Sequence, residues 1–255
     1  MKDFLAQYMP PDYSAHGPEL DKLNANVHLL MVILFVGWGL LFLYMLMRFR
    51  AGKHPRAIYH GTKSHLSTYA EGGILLVEVI LLVVFSIPLW ARWSRTPGPE
   101  GNPLMIRVVG EQFAWNVHYP GPDGVFGKMN VKLVSSSNPL GLDPADPAAK
   151  DDITTLNDLH LELNRPVIIR ITSKDVIHSF SLPYMRVKQD ATPGMVVPVH
   201  FMPVHASGKE SWDIACAQLC GLGHYRMKGH YEVQTKAEFD KWMSEQTPLL
   251  ASISG

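Results

Sequence analysis

Apolar positions fall into two regimes along the chain. Residues 27–47 (VHLLMVILFVGWGLLFLYMLM) run for 21 positions without a formal charge and with one histidine, His28. As a helix this run is about 31 Å long, enough to cross a ~30 Å hydrocarbon core. Residues 72–90 (GGILLVEVILLVVFSIPLW) form a second run of 19 positions with one acid, Glu78. It would span about 28 Å. Two such runs so close together predict a pair of membrane spans. Twenty-six mostly polar residues precede the first, including Asp3, Asp12, Glu19 and Asp21, which does not fit a secretory signal.

The flanking cations give an orientation. Arg48, Arg50, Lys53, Arg56 and Lys63 lie between the runs, against Lys2 and Lys22 before them and Arg92, Arg95 and Arg107 after. The positive-inside rule places the connecting loop in the cytoplasm, with residues 1–26 and everything after Trp93 exported.

Beyond Trp93 the pattern changes to short β-branched and aromatic runs between turn residues. After a Pro/Gly-rich linker at residues 94–103, eight strands are expected, at 104–110, 113–119, 159–164, 166–173, 176–183, 195–201, 211–216 and 229–234. Eight strands at this spacing read as a β-sandwich or barrel over residues 104–235. Residues 120–158, rich in Gly, Pro, Asn and Asp, read as a long surface excursion. An amphipathic helix is expected at 236–246, within a terminal segment 236–255.

Composition narrows the function. The chain has 255 residues, 23 basic and 23 acidic, and charged residues make up 18%. That balance excludes a disordered tail and a strongly basic nucleic-acid binder, so no nucleic-acid partner is expected. Two cysteines exclude a disulfide scaffold, and the absence of C-x-x-C-H excludes covalent c-type haem.

Candidate chemistry concentrates in CAQLCGLGHYRM, residues 216–227. Cys216, Cys220, His224 and Met227 have spacings that would share one face of a helix. Gly221 and Gly223 between them each cost about 1 kcal/mol in a helix interior, which favours a loop that curls its side chains around a common centre. Thiolate, imidazole and thioether together suit copper. A second histidine is expected from a neighbouring strand. His178 in DVIHSF is the best candidate, with His160, His200, His205 and His230 as competitors. A disulfide between the cysteines would leave His224 and Met227 unexplained, and a zinc site would have no need of Met227.

With these residues in place, the chain resembles subunit II of the haem–copper oxygen reductases, the cytochrome c oxidase family, over nearly its whole length. The resemblance rests on the hairpin, on C-x-x-x-C-x-x-x-H-x-x-M, on Asp175–Phe180 (DVIHSF) and on K-x-D-A-x-P-G from Lys188 to Gly194. It implies a membrane α-helical hairpin of two transmembrane helices followed by an all-β cupredoxin-like Greek-key sandwich. It also implies two copper ions in a dinuclear copper A centre. Cys216 and Cys220 would bridge the coppers, and His178 and His224 would each ligate one. Met227 and the backbone carbonyl of Gln218 would be the weak ligands.

The same resemblance implies a bacterial inner (plasma) membrane location with the sandwich on the periplasmic side. The implied partners are haem-containing subunit I, other oxidase subunits, membrane lipid and a cytochrome c donor. Electrons would pass from cytochrome c through copper A to haem in subunit I, where oxygen reduction is coupled to proton translocation. The chain itself would hold no site of oxygen reduction. Nitrous oxide reductase is the alternative within the copper class, but it is soluble. A metal-free subunit II of a quinol oxidase is another, but such relatives lack the copper ligands. A copper-chaperone or zinc module fits the cysteine spacing poorly.

Two departures from the family pattern stand out. Gln218 stands where the family often has Glu, and an amide is a weaker ligand for a hard cation, which puts magnesium at the subunit I interface in doubt. The family's Q-W-x-W reads Gln112-Phe113-Ala114-Trp115 here, making Phe113 and Trp115 the candidates for receiving electrons. Strand alternation would put Phe113, Trp115 and Val117 on one face. The glutamate that the family places at the mouth of a proton pathway corresponds to Glu71 or Glu78, without the W-T-x-x-P that often follows it.

Overall fold

The computed structural model describes residues 7–56, 59–60, 64–94 and 101–253. Lys2, Asp3, Lys63, Arg95 and residues 95–100 of the expected linker lie outside them. The chain divides into two units, one built on Glu19–Trp93 and the other on Pro10–Pro18 with the residues after Trp93.

The first unit holds α1 (Gly17–Arg48) from Glu19 onward and α2 (Leu66–Trp93), both longer than the apolar runs. The extra turns are polar. Glu19 in the first turn of α1 and Arg48 in its last complement the helix dipole. Glu19 also accepts from Arg92 of α2 at 2.6 Å. Leu81–Ser86 is a π-helical section of α2, where the Ser86 hydroxyl donates to the Leu81 carbonyl at 3.2 Å. The most apolar window of each helix has none of its residues buried within the chain, which leaves those faces to lipid or to other proteins.

Among the described residues, the second unit is a sandwich of ten strands rather than eight. They are β1 (Leu104–Glu111), β2 (Ala114–Tyr119), β3 (Ile153–Leu156), β4 (Asp158–Glu162), β5 (Val167–Ser173), β6 (His178–Leu182), β7 (Val187–Ala191), β8 (Val197–Phe201), β9 (Trp212–Cys216) and β10 (Lys228–Gln234). One sheet runs β3-β2-β1-β5-β8 and the other β4-β10-β9-β6-β7. Ile106, Val108, Trp115, Val117 and Ile169 from the first meet Phe180, Leu182, Ile214 and Tyr231 from the second in a single core.

The two unexpected strands, β3 and β7, are each an edge of a sheet. Their sequences, ITTL and VKQDA, are short or polar, because an edge strand needs no continuous apolar run. The expected excursion is accordingly more ordered than its composition suggests. It carries β3, and Leu140, Leu142 and Ala149 from it pack on Val109 in a second small core. After β10, α3 (Lys236–Glu245) starts with Thr235 and Glu238 in a capping box and buries Phe239. A short α4 (Leu249–Ile253) follows.

This topology gathers three connections at one end of the sandwich. The β1–β2 turn meets the β5–β6 turn through Lys174 N–H donating to the Gly110 carbonyl at 3.0 Å. It meets the β9–β10 loop through Gln112, whose side chain donates to the Cys220 carbonyl at 2.7 Å.

Candidate metal centre

Cys216 ends β9 and Met227 immediately precedes β10. Antiparallel pairing of those strands closes the loop between them, with Cys216 N–H donating to the Met227 carbonyl at 3.3 Å. The run is a loop with one 3-10 turn at His224–Arg226, so the glycines outweigh the helical spacing.

The loop converges on its two sulfurs. Cys216 Sγ and Cys220 Sγ are 3.7 Å apart, and both cysteines are free thiols. His224 Nδ1 and Met227 Sδ each lie 3.6 Å from Cys220 Sγ, and the Gln218 carbonyl oxygen lies 3.2 Å from Cys216 Sγ. His178, at the start of β6, brings Nδ1 to 4.0 Å from Cys216 Sγ. The ligand atoms of His178, Cys216 and Cys220 all fall within 4.8 Å of one another, a spacing that could hold a metal ion. Each of the six residues singled out from the sequence thus contributes a donor at one place. The competing histidines do not. His160 stacks on Trp242, His205 on Tyr13, His230 pairs with Asp213, and His200 sits on β8.

Burial, and then the adjacent Cys216, push the Cys220 thiol up to about 11. A bound metal reverses this by stabilising thiolate, and proton release accompanies its binding. Two thiols, two imidazoles, a thioether and a carbonyl form a soft donor set that fits copper.

A group of residues outside the donor set holds it in shape. Asp175 Oδ1 lies 2.9 Å from His178 Nε2, which leaves Nδ1 turned toward the sulfurs. Burial alone would raise the Asp175 carboxyl. His178 and the N–H groups of Gln112 and Val176 instead hold it below the usual carboxylate range. Gln112 therefore grips both sides of the site, Asp175 with its backbone N–H at 2.7 Å and the Cys220 carbonyl with its side chain. A Cβ on Gly110 would sit 3.0 Å from the His178 ring, so the glycine makes room for it. Gly221 and Gly223 do the same for Phe113, whose ring would lie 3.2 Å and 2.5 Å from their added carbons. Only the Asp–x–x–His spacing signals any of this in the sequence. Gln112 lies about a hundred residues from the loop it supports, and Gly110 is likewise remote in sequence from the His178 ring it accommodates.

Phe113 is not on the β2 face. It sits in the turn before Ala114, half-buried, packed over the loop glycines and against the core. Trp115 and Val117 do point inward and are fully buried. Trp115 meets His178 edge-on at 5.8 Å and Phe180 at 5.3 Å, so it stands behind the site with no surface of its own. Around the loop, Leu219, Leu222 and Tyr225 are exposed and make an apolar rim. Glu71 and Glu78 lie seven residues, about 10 Å, apart on α2, and both are exposed.

Comparison with known proteins supplies the lineage. A family model described as "Cytochrome C oxidase subunit II, periplasmic domain" matches residues 104–234. The alternative cytochrome c oxidase subunit 2 of Bradyrhizobium diazoefficiens is 31% identical over 225 residues, which cover 88% of this chain and 76% of that one. Cytochrome c oxidase subunit 2 of Synechocystis is 31% identical over 147 residues, covering 58% of this chain and 34% of the relative's length. The crystal structure of the periplasmic domain of subunit II from Bradyrhizobium japonicum aligns at 28% identity and a TM-score of 0.41, covering 57% of this chain and 94% of that one. A family match across half of the chain, and a relative matched along most of both lengths, lead to one conclusion: this chain, with its two membrane-capable helices and cupredoxin-like sandwich, belongs to the cytochrome c oxidase subunit II family.

Proposed function

We propose that this chain is the copper-carrying subunit through which electrons enter a bacterial cytochrome c oxidase. In this reading the hairpin lies in the inner membrane and the sandwich faces the periplasm. Cys216, Cys220, His178 and His224 would hold two coppers, with Met227 and the Gln218 carbonyl as the weaker donors. Bound there, the metal pair supplies a one-electron couple whose charge is shared over two nuclei. The residues of the chain supply the rest. Asp175 fixes the tautomer and direction of His178, Gln112 ties the ligand loop to the β1–β2 turn, and the sandwich keeps the donors from rearranging when the charge changes. The chain takes electrons singly from cytochrome c and delivers them to haem in subunit I, where oxygen is reduced with proton translocation.

The observation that carries this reading is the convergence of all six donors on a thiol pair 3.7 Å apart. A single-copper site of the Cys, two-His, Met kind would leave the second sulfur without work. Redox partners meet through small interfaces steered by charge. The apolar rim of Leu219, Leu222 and Tyr225 offers such a surface. From Glu100 to Gly255 the chain carries 17 acids and 14 bases, a mildly acidic balance suited to a basic donor. Phe113 lies beneath the rim as the route inward, with buried Trp115 behind it. Glu71 and Glu78 remain the two candidates for the proton pathway, and Gln218 offers no carboxylate for magnesium.

Metal analysis and electron paramagnetic resonance of the purified oxidase test the assignment. Two coppers in this chain are expected, with one unpaired electron spread over both nuclei when oxidised. A single copper with a mononuclear spectrum overturns it.

A further inference from the structure

Among the described residues, Arg107 and Arg170 on the outer face of the first sheet form no salt bridge. β1 and β5 are parallel neighbours in a register that sets Arg107 directly opposite Arg170. Like charges facing each other across strands are destabilising unless an anion sits between them. Arg107 is held in place, donating to the Gly127 carbonyl at 3.2 Å and lying 4.1 Å over the Phe126 ring. Burial, and then Arg170, hold its pKa below the usual arginine value. Arg170 is exposed. The acid that acts on Arg107, Asp152, is fully buried, and its Oδ2 already meets the Gly127 N–H at 2.9 Å and His118 Nε2 at 2.8 Å. Two guanidiniums over one engaged carboxylate leave this face with an excess of positive charge among the described residues.

These arginines line a trough of about 890 Å³ with Met105, Val109 and Ile168 among its lining residues. It continues into a second hollow of about 590 Å³ through the shared residues Val109, Met129 and Thr172. Along β5 the two extend from Ile168 to Lys174, about 20 Å, the length of roughly six extended residues. Val196 stands exposed in the lining of the trough, and Val131 in that of the second hollow. A small ion would meet the charge and leave these apolar walls in water. A stretch of polypeptide covers both.

We propose that this trough is the docking site for an extended apolar segment of a partner protein in the oxidase assembly, with one carboxylate of that segment seated on Arg107 and Arg170. The segment lies along β5, its apolar side chains between Ile168 and the Val196 and Met129 walls. Subunit II works as one chain of an assembly, so a covered face of this kind belongs to its ordinary state. The site is independent of the donor set and of the route electrons take.

Photo-crosslinking in native membranes tests this. With benzoylphenylalanine at exposed Val196, the full chain is expected to give an adduct with a peptide of another protein that has Asp or Glu within a few residues of the linkage. Arg170→Glu is expected to lower that yield at least fivefold, and changing the identified acid to Lys is expected to restore it. Copper content is expected to be unchanged throughout, which separates this result from the metal assignment and shows that the chain has folded. Adducts only with lipid, adducts only with a second copy of this chain, no adduct at all, or a yield indifferent to Arg170→Glu would each overturn the proposal.

Discussion

The two sheets of the sandwich contribute to the candidate metal centre in different ways. The β4-β10-β9-β6-β7 sheet and its loop supply every donor: His178 from β6, Cys216 from the end of β9, and Gln218, Cys220, His224 and Met227 from the connection to β10. The β3-β2-β1-β5-β8 sheet supplies none. From its β1–β2 end come instead Gly110, Gln112, Phe113 and Trp115, which make space, tie down the loop and back the histidine. One sheet carries the chemistry and the other carries its geometry. The division predicts abrupt failure from donor-side substitutions and graded failure from support-side ones.

The sharpest contrast comes from the sulfurs. Cys216→Ser or Cys220→Ser removes a donor for which neither sheet has a substitute. Each variant is expected to lose the two-nucleus signal completely and to hold at most one copper, as read by metal analysis and paramagnetic resonance. A shared signal that survived either change would move the site away from the thiol pair.

Asp175 joins the two sides, since it binds His178 with one oxygen and the Gln112 N–H with the other. Asp175→Asn keeps the size but offers a weaker acceptor to the imidazole. Losing such an outer contact typically weakens metal binding about 10–100-fold. Competition with a chelator is expected to find a loss in that range, with two coppers still bound at saturation. A loss as complete as that of the cysteine variants would break the distinction between donors and supports.

The same division explains what the sequence reveals. The residues that gather at the candidate centre were easy to single out because Cys216, Cys220, His224 and Met227 fall within twelve residues and His178 sits in a short, distinctive stretch, whereas the Gln218 carbonyl came only from the family resemblance. The two long apolar helices were legible because their signal is length and apolarity alone. The supports were hidden because their roles exist only after β1, β2 and β5 have paired. Gln112 reaches Cys220 from 108 positions away, and nothing near Gln112 announces that contact. Phe113 was misplaced on the strand face because alternation was extended one residue past the start of β2. Strands β3 and β7 were missed for a related reason, since edge positions relax the apolar pattern on which strand recognition depends.

The fit between loop and support can be tested from both sides. Gly223 is buried, and an added Cβ would fall 2.5 Å from the Phe113 ring. Gly223→Ala is expected to cost about 1–3 kcal/mol through overpacking. Phe113→Ala in the same chain should return part of that cost, a coupling that a double-mutant cycle measures in thermal unfolding. Phe113→Ala alone is expected to slow electron transfer from cytochrome c more than transfer onward to haem, with copper content unchanged. Additive costs, or equal slowing of both transfers, would make Phe113 an ordinary core residue.

The smallest effect lies within the supporting sheet alone. His118 on β2 is fully buried with Nε2 2.8 Å from Asp152, which also receives the Gly127 N–H and so anchors the start of the 120–150 segment. Burial lowers the His118 pKa against the pull of Asp152. The unfolded chain therefore takes up this proton at a higher pH than the folded one. Stability from the neutral ring is fully present above the unfolded value of about 6.5 and is lost as pH falls toward the folded value. One such group contributes a slope of at most about 1.4 kcal/mol per pH unit. Unfolding of the detergent-solubilised chain, followed between pH 7 and pH 5, is expected to be steeper with His118 than with His118→Gln. The copper signal should be the same in both, because no donor comes from this sheet. A copper site that changed with His118 would mean that the supporting sheet acts on the donors through more than its β1–β2 end.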